Sequence, residues 1–75
     1  MQIKDVVYKN LERFKRNQIE INDDTKLKEE LGIDSFLAIS ILMELQKEGI
    51  GFKDGKIPPL ETVSDLINSL EKKNG

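Results

Sequence analysis

Residues 31–48 read Leu31-Gly32-Ile33-Asp34-Ser35-Phe36-Leu37-Ala38-Ile39-Ser40-Ile41-Leu42-Met43-Glu44-Leu45-Gln46-Lys47-Glu48. Gly32 suits the end of a helical turn, where a left-handed residue closes off the preceding carbonyls. Asp34 is an acceptor placed to cap a following helix and fix its start. No Gly or Pro interrupts the next fourteen positions, and the apolar residues Phe36, Ile39, Leu42, Met43 and Leu45 fit a buried helical stripe that Leu37 and Ile41 widen. Lys47 in the last turn complements the negative end of the helix dipole, and Gly49 stops it. A helix opening at Asp34-Ser35 is the central prediction.

Working outward, Ile3, Val6, Val7, Leu11 and Phe14 recur at helical spacing, with Lys4, Asp5, Lys9, Glu12, Arg13 and Lys15 on the other faces. That predicts a first amphipathic helix ending near Arg16-Asn17. Gln18 to Asp24 reads as a loop whose Ile19 and Ile21 tuck against the bundle, and Asn22-Asp23-Asp24-Thr25 supplies turn chemistry. Leu27 and Leu31, four apart, suit a short helical turn. Beyond Gly49, Asp54-Gly55 marks a turn and Pro58-Pro59 permits at most a turn. Thr62-Val63-Ser64-Asp65 is a capping-box variant, followed by Leu66, Ile67 and Leu70 in helical register with Val63. This last helix is expected to fray into Lys72-Lys73-Asn74-Gly75. The expected fold is therefore all-α: a small antiparallel bundle of three long helices plus a short turn or helix, in one domain over residues 1–75.

Composition narrows the function. The 75 residues contain neither Cys nor His, which removes disulfides, Cys/His metal sites and a histidine base. A bundle this small has little room for a catalytic pocket, so an enzyme is not expected. No apolar run approaches a signal or membrane-spanning length, and the default is a soluble, cytoplasmic monomer. The formal net charge of −2 gives no case for nucleic acid. One local imbalance stands out. Asp23, Asp24, Glu29, Glu30 and Asp34 outweigh Lys26 and Lys28 immediately before Ser35.

Ser35 is the one residue placed for chemistry. At the start of a helix, unpaired backbone N–H groups and the dipole favour a negative group, and a phosphodiester on that hydroxyl would sit in a matching field. An Asp-Ser pair before an apolar helix is, by itself, also an ordinary cap.

Leu31-Gly32-Ile33-Asp34-Ser35-Phe36 resembles the attachment motif of the acyl carrier protein family, a Leu-Gly-x-Asp-Ser-Leu type sequence. Ile21-Asn22-Asp23-Asp24-Thr25-Lys26-Leu27 resembles that family's approach to the motif. Ile39 to Leu45 is similar to its second helix, and Thr62-Val63 with Asp65-Leu66-Ile67 to the start of its last. The resemblance spans nearly the whole chain. It implies a free-standing carrier in which Ser35 holds a covalent 4'-phosphopantetheine arm, with Asp34 as helix cap and motif residue. A phosphopantetheinyl transferase would install the arm, and acyl-transferring or synthase enzymes of fatty-acid, polyketide or a specialised biosynthesis would use the thioester cargo. Ile39, Leu42, Leu45, Leu66 and Ile67 are expected in the core. An aminoacyl or peptidyl carrier remains open, as does an unmodified helical interaction module.

The chain also departs from that family. Leu37 and Ser40 stand where acids are common, and Gln46 and Lys47 replace part of an acidic cluster, leaving Glu44 and Glu48. A nearly neutral second helix implies dedicated partners docking through Leu37, Ile41 and Met43, with Glu44 as the remaining acid.

Overall fold

The computed structural model describes residues 2–73, with α1 at Ile3–Phe14, α2 at Ser35–Lys47, β1 at Ile50–Phe52, α3 at Val63–Asn68 and β2 at Leu70–Lys72. Helix α1 buries Val6, Val7 and Leu11, the inward side of its amphipathic stripe. Asn10 lies on the same side, and its amide donates to the Val6 carbonyl at 2.9 Å, so its burial leaves no unpaired donor. These residues meet Ile41 and Leu45 of α2, Val63 and Leu66 of α3, and the loop residues Ile21, Leu27, Leu31 and Ile33 in one core.

The expectation of three long helices in an all-α bundle is corrected on two counts. Helix α3 has six residues, and β1 and β2 form an antiparallel pair with Ile50 opposite Lys72, Gly51 opposite Glu71 and Phe52 opposite Leu70. The periodicity of Leu70 was misleading because strand and helix both bury it. Ser69 ends the helix: its hydroxyl donates to the Asp65 carbonyl and its N–H is shared between the Asp65 and Leu66 carbonyls. Leu70 then turns inward from an extended chain. On the other side, Gly49 adopts φ +76°, a conformation glycine takes without steric cost, and releases Ile50-Gly51-Phe52 into the pairing. Ile50 and Phe52 face the core on either side of Gly51, the period-two pattern of a half-buried strand. The expected fraying at the C-terminus falls partly on Asn74 and Gly75, outside the described residues, while Lys72 belongs to β2.

The buried face of α2 also differs from the expected stripe. Ile41 and Leu45 are 2% and 0% exposed, with Leu37, Ala38 and Leu42 packed at their flanks, whereas Phe36, Ile39 and Met43 are 75%, 54% and 59% exposed. The helix is apolar on nearly every side, so spacing alone selected the wrong seam. Ile39 is therefore not core, and Ile67 is only partly buried. Ile21 tucks inward, but Ile19 remains at the surface.

The long connection from α1 to α2 is held by specific bonds. Tyr8 donates to Asp23 at 2.6 Å, and Asn22 and Thr25 close a turn. Burial, then the hydrogen bond to Asp23, raise the Tyr8 phenol to a pKa of about 12. Leu27 N–H donates to Glu61 O, Val63 N–H to Thr25 O and Ser64 N–H to Asp23 O, each at 2.9 Å. These bonds strap residues 23–27 to the start of α3. The last residue of this strapped segment, Leu27, lines the site.

Candidate functional site

Leu27 to Ile33 wraps into a tight turn, with Glu30, Leu31 and Gly32 donating back to Lys26 and Lys28 carbonyls and Ile33 N–H returning to Leu27 O. Gly32 sits at φ +70°, and a Cβ there would stand 3.2 Å from both Cβ and Cδ of Arg16. Glycine is thus required twice, for backbone conformation and for the passage of the arginine. Arg16 is pinned by its own N–H to the Leu31 carbonyl at 3.0 Å, and its guanidinium comes within 3.7 Å of Asp34.

Asp34 is the N-cap of α2. Its backbone is extended, and its carboxylate accepts from Leu37 N–H at 3.0 Å. That hydrogen bond, helped by Arg16, holds the Asp34 carboxyl below the usual aspartate range. Ser35 follows as the first helical residue and is exposed.

Ser35 opens onto a cleft of about 330 Å³. Leu27, Ile33, Ala38, Leu42 and Leu60 line its floor; Ile39, Ile57 and Pro58 reach its sides; Lys28, Asp34 and Ser35 supply its polar edge. A separate void of about 10 Å³ lies beneath the same Leu27, Ile33, Ala38, Leu42 and Leu60, with Leu11, Ile41 and Leu66 on its far side. The cleft wall at Ile57-Pro58 is irregular chain, in keeping with the prolines.

Of the docking candidates, Met43 is exposed, Leu37 and Glu44 are half-buried, and Glu44 pairs with Lys47 at 3.3 Å. Ile41 is corrected: it points into the core and offers no surface. Phe36 and Ile39 take its place on the outer side of α2. Three site neighbours lay outside the sequence reading: Arg16, Lys28 and Ile57. Gly32 carried a partial signal for Arg16, since a glycine inside a tight turn implies a close neighbour. Nothing local to Lys28 or Ile57 marks them.

Among the described residues no helix is long and apolar enough to cross a membrane, and no group of three or more acids is arranged to hold a metal ion. A small helical scaffold thus displays one exposed serine, beside the capping Asp34, at the edge of an apolar cleft. The family model for the phosphopantetheine attachment site matches residues 3–70. The chain is 33% identical to an acyl carrier protein of Rickettsia bellii (strain RML369-C) over 54 residues, covering 71% of this chain and 63% of that one. It is 28% identical to an acyl carrier protein of Thermotoga maritima over 65 residues, 85% of this chain and 80% of the relative. An acyl carrier protein of Solidesulfovibrio magneticus is 33% identical over 57 residues, 75% and 73% of the two chains. No solved structure gives a significant match.

This chain belongs to the acyl carrier protein family, whose members bear a phosphopantetheine attachment site. Its members are carriers rather than enzymes, and their prosthetic group is a covalent 4'-phosphopantetheine. The residues present fit such a group: an exposed hydroxyl for the phosphate end and an adjoining apolar cleft for what the arm bears.

Proposed function

We propose that Ser35 bears the 4'-phosphopantetheine arm and that the protein carries acyl intermediates on it as thioesters between partner enzymes. Those partners belong to fatty-acid, polyketide or a specialised biosynthesis. The observation that carries this reading is the place of Ser35, an exposed hydroxyl on the first residue of α2 at the edge of the cleft. The other three serines are engaged within their own helices. Ser40 donates to the Phe36 carbonyl at 3.3 Å, Ser64 accepts from Asn68, and Ser69 donates to the Asp65 carbonyl.

A phosphopantetheinyl transferase is the loading partner: the Ser35 oxygen displaces the nucleotide half of coenzyme A at phosphorus, and the hydroxyl proton leaves. The arm, once attached, supplies the thiol that this cysteine-free chain lacks. The chain's own contributions are structural. Asp34 fixes the start of α2 and the orientation of Ser35. The apolar floor of the cleft receives the proximal part of an aliphatic cargo with little polar obstruction, which favours acyl over charged aminoacyl cargo. The outer stripe of Phe36, Ile39 and Met43 faces the partner enzymes, with Leu37 at its border.

Intact mass after incubation with coenzyme A, magnesium and a broad-specificity transferase tests the assignment. One phosphopantetheine should add to the parent and none to Ser35→Ala. Equal modification of both would remove the basis for this function. Docking is tested by the salt dependence of cargo loading. From Ser35 to Glu48 the only charges are Glu44, Lys47 and Glu48, and two of these pair with each other. Association should therefore fall only weakly as salt rises, in contrast to charge-steered pairs.

A further inference from the structure

Lys28 is the only cationic residue lining the cleft that Ser35 opens onto, and it has no acidic partner among the described residues. Its acidic neighbours are taken. Lys26 Nζ lies 3.3 Å from Glu29 and 3.9 Å from Glu61, and the Glu30 carboxylate accepts from Lys26 N–H. Asp34, across the cleft mouth, faces Arg16 at 3.7 Å.

Attachment of an arm to Ser35 adds a phosphodiester, one negative charge, to the residue beside Asp34. The Asp34 carboxylate already occupies the Leu37 N–H and holds Arg16. Two anions on adjacent residues repel, and the new one finds the Leu37 N–H and the Arg16 guanidinium already engaged, with only neutral backbone donors of the first turn beside it. Lys28 is the remaining cation on that edge. Resting on the attachment of the arm to Ser35, we infer that Lys28 is the counter-cation of the phosphodiester, a positioning residue that draws the root of the arm across the mouth of the cleft. Lys28 shares the lining of the cleft with Ile57, Pro58 and Leu60. The pairing therefore directs the arm over the apolar floor instead of out into solvent, which favours sheltering the cargo.

The test compares the parent, Lys28→Gln and Lys28→Arg, each before and after loading with the unacylated arm, with loading verified by intact mass. Before loading, all three should melt alike, because Lys28 has no ion pair to lose. After loading, Lys28→Gln should melt about 1–5 °C below the loaded parent at low salt, the range of one exposed ion pair in a domain of this size. Lys28→Arg should retain the parent value. The gap should close near about 1 M salt, where screening acts over about 3 Å, and the phosphorus-31 resonance of the arm should differ between loaded parent and Lys28→Gln. Identical melting and identical resonances in the loaded forms would overturn this inference alone. A gap that emerges only when the arm bears a carboxylate cargo such as malonyl would overturn it too, since Lys28 would then serve the cargo. Absence of any mass gain on the parent would overturn both this inference and the attachment on which it rests.

Discussion

The two long sides of α2 have similar side chains and opposite fates. Ile41 and Leu45 pack against α1 and α3, while Phe36, Ile39 and Met43 stand in solvent on the same thirteen-residue helix. Hydrophobicity alone does not select between them. The inner side is chosen because Val7 and Leu11 of α1, Val63 and Leu66 of α3 and the Leu27–Ile33 turn converge on it. The outer side has no such neighbours, and an exposed apolar stripe of this kind reduces solubility without stabilising the fold. We propose that a partner enzyme covers it.

The largest effect that tests this contrast is truncation in the core. Leu45→Ala should cost about 2–5 kcal/mol in urea unfolding, the range for a buried leucine that leaves a cavity. Met43→Ala, two residues away in sequence, should fall within about 0.5 kcal/mol of the parent. Comparable losses at both positions would mean that the two sides are wrongly assigned.

An intermediate effect is expected where the cleft wall is tied down. Thr62 accepts from Asp65 N–H at 3.2 Å while Asp65 accepts from Thr62 N–H at 3.0 Å. Thr62→Ala should cost about 0.5–2 kcal/mol by thermal melting and loosen the strap on residues 23–27. Faster hydrogen exchange at Leu27 and Val63 should accompany the loss. Unchanged exchange there would separate the helix cap from the cleft wall.

Acid should act more gently. The carboxyls of Asp34, Asp23 and Asp65 are each held below the usual aspartate value, by the Leu37 N–H, the Tyr8 hydroxyl and the Thr62 N–H respectively. A depressed carboxyl stabilises the fold at pH above its unfolded pKa, near about 4, and that contribution disappears as pH falls through the lower folded value. Melting temperature should therefore decline below about pH 4, and Asp34→Asn should flatten part of that decline. A profile level down to about pH 2 would contradict these hydrogen bonds. The smallest stability change belongs to the outer stripe. Phe36→Ser with Ile39→Ser should unfold within about 0.5 kcal/mol of the parent yet slow cargo loading by the native partner enzymes. Normal loading would leave the stripe without its proposed use.

What could be read from the sequence followed the range of the interactions involved. The Thr62-to-Asp65 box and the stops at Gly32 and Gly49 join groups within a few residues of one another, and local chemistry specifies them. The strand pair was hidden because three-residue segments are too short for alternation to stand out, and Leu70 satisfies a helical register as well as an extended one. The seam of α2 was illegible because Phe36, Leu37, Ile39, Ile41, Leu42 and Met43 leave no polar side to orient the helix. At the site, the N-terminal geometry of α2 is local to Asp34 and Leu37, but Arg16 and Lys28 reach it only through folding of the loop. Their contribution is tertiary, and no motif records it.

The most direct measurement is the intact mass of the parent and of Ser35→Ala after incubation with coenzyme A, magnesium and a phosphopantetheinyl transferase, with circular dichroism to confirm that both are folded. The account predicts one phosphopantetheine on the parent, none on Ser35→Ala, and matching helical spectra. A folded Ser35→Ala that gains the same mass, or a folded parent that gains none, would contradict it.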